Sequence, residues 1–94
     1  MDTKKRFSKD PQAVLDYAFD WNAWLESGET ISDFDLTSSP GITIDQVKSS
    51  QANGIVTAWL EDGTDQRNYD VTCHIVTSLD REDDRTVIIE VRHR

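Results

Sequence analysis

The chain is poor in the features that usually announce a chemistry. Its 94 residues include one cysteine, Cys73, so no disulfide can form within it, and two prolines. A single cysteine is the usage expected of a protein made in a reducing cytosol. No uninterrupted apolar run exceeds three residues, too short for a helical membrane span. The polar, basic residues 1–9 are followed by no apolar segment of the kind a secretory signal carries. Gly-rich phosphate loops, Cys/His metal spacings and the Ser elbow of hydrolases are absent. Positive charge is scarce, with ten Lys and Arg against 18 Asp and Glu for a net charge of −8. Such a surface repels phosphate and argues against nucleic acid as a partner.

What is present is alternation. In Asp16-Tyr17-Ala18-Phe19-Asp20-Trp21-Asn22-Ala23-Trp24-Leu25, the residues Tyr17, Phe19, Trp21, Ala23 and Leu25 occupy every second position. That period places them on one face of a strand, whereas a helix would scatter them around its circumference. The pattern predicts a first long strand over 16–25, with Tyr17, Phe19 and Trp21 in the core. A second follows over 30–37, with a bulge near Ser32-Asp33 because Ile31 is out of phase with Phe34 and Leu36. Ile42 and Ile44, with Val47, mark a third, and 49–54 reads as a polar loop. Strands over 55–60, 69–77 and 85–92 complete the set, the last two joined by an acidic loop over 78–84.

About seven strands separated by Gly, Asp and Ser turns predict an all-β, immunoglobulin-like antiparallel sandwich over 11–94. Residues 1–10 are expected to form an extended basic arm, with Lys4, Lys5, Arg6 and Phe7 as anchors on a neighbouring subunit. Tyr69, near the start of the penultimate strand, is expected to form a tyrosine corner, its hydroxyl bonded to upstream backbone.

Candidate chemistry is thin. Cys73 and His74 are adjacent in a strand and project to opposite faces, so they cannot act as a nucleophile–base pair. Asp80, Glu82, Asp83 and Asp84 do not follow a calcium-loop spacing, and Arg81 and Arg85 interrupt them. No catalytic residue, metal ligand or cofactor is therefore expected. Trp24 and Trp59 fall on the opposite phase of their strands and are the candidates for partner contact. As an alternative function, the same two rings would serve a sandwich that recognises carbohydrate or a host surface.

Several fragments resemble the fibre–tail adaptor proteins of tailed bacteriophages. They are Lys9-Asp10-Pro11, Val14-Leu15-Asp16-Tyr17, Asp20-Trp21, Leu25, Gly28 and Thr30-Ile31. Further along come Gly41-Ile42-Thr43, Ala58-Trp59-Leu60, Gly63-Thr64, Tyr69-Asp70-Val71-Thr72, Ile75, Thr77 and Arg85. The resemblance implies a non-enzymatic virion component in several symmetric copies, whose partners are other phage tail, neck or fibre proteins. The short apolar runs give no reason to expect a membrane partner, and carbohydrate is not the expected ligand. Residues 1–7 and the acidic segment 80–84 depart from the pattern.

Overall fold

The computed structural model describes residues 4–93; Met1, Asp2 and Thr3 of the expected arm, and Arg94, lie outside the described residues. Eight strands form two sheets, and no residue described is helical. They are β1 (Arg6–Lys9), β2 (Leu15–Asp20), β3 (Ile31–Ser38), β4 (Ile42–Ile44), β5 (Ser50–Ala52), β6 (Ile55–Asp62), β7 (Asn68–Thr77) and β8 (Glu82–Val91). One sheet has the order β1-β8-β7-β3. The other has the order β2-β6-β4, with β5 also paired to β6.

The inward phase of each strand builds the core. Val71, Cys73 and Ile75 of β7 and Val87, Ile89 and Val91 of β8 face Phe19 of β2 and Val56, Ala58 and Leu60 of β6. Trp21 is fully buried among them. Burying a side chain of the Val, Leu or Ile class contributes about 1.5–3 kcal/mol. This layer is the main support of a small domain without a disulfide. The bulge in β3 falls between Ile31 and Asp33, where it was expected, and it returns Ile31 to the buried face.

Other expectations are corrected. The alternation over 16–25 overruns the strand: β2 ends at Asp20, whose carboxylate accepts the Asn22 backbone N–H at 3.0 Å and turns the chain. A tight turn follows, with the Trp24 and Leu25 amides both donating to the Trp21 carbonyl. The polar loop over 49–54 contains β5 and an Asn53-Gly54 turn, both residues having positive φ (53° and 79°). That is the type I′ hairpin signature. The acidic loop over 78–84 is shorter than expected, because Glu82, Asp83 and Asp84 already belong to β8.

The basic arm is also reassigned in part. From Arg6 onward it is β1, paired in parallel with Ile88–Val91 of β8, which makes that sheet mixed rather than antiparallel. The physical reason lies in Lys9, whose side chain is fully buried. Its Nζ donates to the Asp62 carbonyl at 2.6 Å and the Asp10 carbonyl at 3.0 Å. Asp62 ends β6, so this lysine ties one sheet to the other. Burial lowers its pKa, and the charges of Asp62, Asp10 and Glu61 oppose the shift. A hydrogen bond from a charged donor contributes roughly 1.5–3 kcal/mol. Lys9→Ala is expected to lower unfolding free energy by about that amount in a urea titration; an unchanged midpoint would show the tie to be dispensable.

Candidate interaction surfaces

Three surface regions carry the residues singled out from the sequence. The first is the outer face of the β1-β8-β7-β3 sheet. Cross-strand pairing sets Thr72 opposite Thr86 and His74 opposite Asp84, and the threonine hydroxyls lie 2.8 Å apart. His74 bridges Asp84 through Nδ1 and Glu82 through Nε2, the latter at 2.9 Å. Hydrogen bonding to Asp84 and then Glu82 raises the His74 pKa. On the same face Arg6 pairs with Glu90 at 2.8 Å and Lys4 with Asp70 at 3.8 Å. Phe7 packs against Tyr17, ring centroids 5.5 Å apart. Lys5 lies close enough to Asp20 to favour its ionised form. The four expected anchors are thus engaged within the chain.

The second region is the clasp beside Trp24. Glu29 follows the turn at Gly28 and is buried, although it carries a carboxylate. Arg81 grips it in a fork, Nε at 2.9 Å from Oε2 and Nη2 at 2.5 Å from Oε1. The Thr77 hydroxyl donates to Oε2 at 2.5 Å, and the Glu26 backbone N–H donates to Oε1 at 2.8 Å. A bidentate pair with every acceptor satisfied is the arrangement in which a buried carboxylate is tolerated. Hydrogen bonds from Arg81, above all, pull Glu29 down to about 2. Arg81 also stacks on the Trp24 ring at 4.0 Å and donates to the Trp24 carbonyl at 3.3 Å. Trp24 meets Trp21 edge-on at 5.6 Å, and Arg85 covers Trp21 at 4.1 Å. Trp24 therefore sits half-buried in the β2–β3 connection, not on a strand facing water. Sequence spacing could not locate it, because its phase was counted along a strand that had already ended.

Trp59 defines the third region. It lies on β6, half-buried on the outer face of its sheet, with Lys48 over the ring at 4.1 Å. Val47, placed in the third strand by its sequence, is instead in the following loop and 95% exposed.

Tyr69 is buried, and its hydroxyl accepts the Thr64 backbone N–H at 2.9 Å. Its ring lies against Gly41 so closely that a Cβ there would sit 2.8 Å from the ring. The depression beside it is lined by Ser39, Pro40, Gly41, Thr64, Arg67 and Asn68, a set with no nucleophile–base pair. Cys73 is buried in the core with its thiol pushed up to about 11 by desolvation. It is on the face opposite His74, so the two cannot act together. Among the described residues, no three His, Cys, Asp or Glu side chains gather where a metal ion would sit.

The chain matches the family model described as podophage GP4 fiber-tail adaptor protein gp77 over residues 9–90. It belongs to this family. The match begins at the buried Lys9 and ends within β8, so it takes in strands of both sheets. A search of the curated proteins found no match. In this adaptor the sequence reading missed the Glu29–Arg81 clasp, although the long-range pairing of an acid and a base leaves no local periodicity to detect.

The clasp carries a pH signature. A carboxylate whose folded pKa lies below its ordinary value of 4.5 stabilises the fold above that value, and loses the contribution as pH falls towards about 2. Wild type is therefore expected to melt higher than Glu29→Gln at neutral pH, with the two converging by about pH 2. Melting curves that stay parallel throughout would contradict the clasp.

Proposed function

We propose that this chain is a non-enzymatic structural component of a tailed-phage virion. It joins tail fibres to the tail or neck through protein–protein contacts repeated over several symmetric copies. The observation that carries this reading is the adaptor-family match across residues 9–90. Repetition in a symmetric particle lets modest single contacts sum to a stable attachment.

The architecture we propose is immunoglobulin-like. Its support is strand order: β2-β6-β4 corresponds to the B-E-D order of that fold, and β8-β7-β3 to G-F-C. Tyr69, at the start of β7 with its hydroxyl on upstream backbone, stands where a tyrosine corner stands.

The partner contacts we propose are Lys4, Lys5, Arg6 and Phe7 together with Trp59. Lys4 and Arg6 are half-exposed, and their ion pairs are surface pairs worth about 0–1 kcal/mol, readily exchanged for a partner's carboxylates. Arg6 and Phe7 belong to a paired strand, so they are presented from a fixed backbone instead of a loose arm. Trp24 is set aside, since it packs on Trp21 as well as under Arg81 within the clasp. The stacking of Lys48 on Trp59 leaves less bare ring for a sugar and favours a protein partner over the carbohydrate alternative.

Quantitative mass spectrometry of purified particles tests the reading. The expected result is a fixed copy number in mature virions and loss of fibres when the gene is disrupted. Particles that carry a full fibre complement without this chain would refute it.

A further inference from the structure

The edges of the two sheets are not equally protected. An edge strand exposes a row of unpaired N–H and C=O groups, and native proteins usually cover or break it. β3 is broken by its bulge, and side chains cap its outward carbonyls: Gln46 bonds Leu36 at 3.1 Å and Gln51 bonds Ile31 at 3.2 Å. On the other edge of β6, β4 and β5 span three residues each and are interrupted by the 45–49 loop. On β1 the outward Ser8 carbonyl is taken by the Tyr17 hydroxyl at 3.0 Å.

β2 differs. Among the described residues it is a six-residue edge strand paired only with β6, in unbroken register from Leu15 to Asp20. The Trp21 amide bonds Gly54 of the neighbouring turn. By the period of two, Tyr17 and Phe19 also direct their amides to β6, and the backbone groups of Asp16 and Ala18 point away from the sheet. At the Asp20 end the outward carbonyl is occupied by Arg85 at 2.8 Å. Asp16, Ala18 and Asp20 are exposed on one face, and Val14 and Leu15 stand 47% and 42% exposed at the start of the same edge.

We propose that this edge receives an extended, basic strand from a neighbouring virion protein, adding one strand to the β2-β6-β4 sheet. The inference rests on the adaptor reading above. Main-chain bonds to Asp16 and Ala18 would supply affinity, and side chains at alternate positions specificity. Lys or Arg opposite Asp16 and Asp20 would complement their negative charge, although the Asp20 carboxylate already accepts Asn22, with a larger apolar residue between them over the small Ala18. Val14 and Leu15 would be covered as the strand docks. A second copy of β2 is a poor occupant: antiparallel pairing about Ala18 sets Asp16 against the Asp20 of its twin, and like charges directly opposite are destabilising.

Ala18→Pro tests this, because it removes one outward N–H while the ladder to β6 keeps its bonds. The readout is incorporation into particles when a gene-disrupted phage is complemented, with thermal melting of the isolated protein as the folding control. The expected result is a folded protein whose incorporation falls at least about tenfold, the equivalent of one lost hydrogen-bonded contact. Asp16→Lys is expected to reduce incorporation without touching the backbone, and it decides alone if Ala18→Pro does not fold. Wild-type incorporation of the folded variants overturns the proposal. A wild-type dimer that Ala18→Pro dissociates also overturns it, by making a second copy the occupant. Wild-type chain missing from particles defeats the adaptor reading itself and this inference with it, so the two failures are told apart.

Discussion

Two sheets with no disulfide between them are kept in register by polar side chains that reach across the rim to backbone carbonyls. Lys9 crosses at one end to the carbonyl of Asp62. Arg85 crosses near the other to Asp20, and Gln51 crosses a lateral edge to Ile31. The buried apolar layer supplies most of the gross stabilisation, but apolar contact is non-directional and would tolerate sliding. Each rim bond is directional and has defined partners, so sliding one sheet over the other would break it. The rim therefore selects one alignment of the sheets from those that the core would permit.

The Glu29–Arg81 clasp extends this logic to the chain between β2 and β3. That connection is long, turns twice and carries both Trp21 and Trp24. Without Arg81 the buried Glu29 carboxylate would lose its counter-charge and keep only the Thr77 and Glu26 donors. With it, the segment is anchored to the β7–β8 hairpin through a forked ion pair, a stacked ring and a carbonyl bond. Trp24, which looked like a contact residue in sequence, is occupied in holding the fold.

Strand identity was legible wherever side chains alternate between core and water, as in β7, where the inward phase from Tyr69 to Thr77 is buried throughout. The β3 bulge was legible too, because a phase slip leaves a trace in the order of apolar residues. The end of β2 was not. Trp21, Ala23 and Leu25 keep the strand period beyond the Asp20 turn, and it is the carboxylate-to-amide bond at Asn22 and the turn bonds to the Trp21 carbonyl that take the chain out of the sheet. β1 was missed for a different reason: its one buried side chain is a lysine, which hydropathy assigns to water. Lys9 is accepted inside because carbonyls replace its hydration. Family membership was legible through short scattered fragments, whereas the pairing of Glu29 with Arg81 spans 52 residues and leaves no local mark.

Once rim and core are fixed, the amide directions of β2 follow from its register with β6, and so does the existence of a free edge. Residue-resolved hydrogen exchange on the isolated protein is the most direct check of that geometry. The account predicts slow exchange at Tyr17, Phe19 and Trp21 and fast exchange at Asp16 and Ala18, alternating along a single strand. Equal protection at all five amides, or rapid exchange at Trp21, would contradict it.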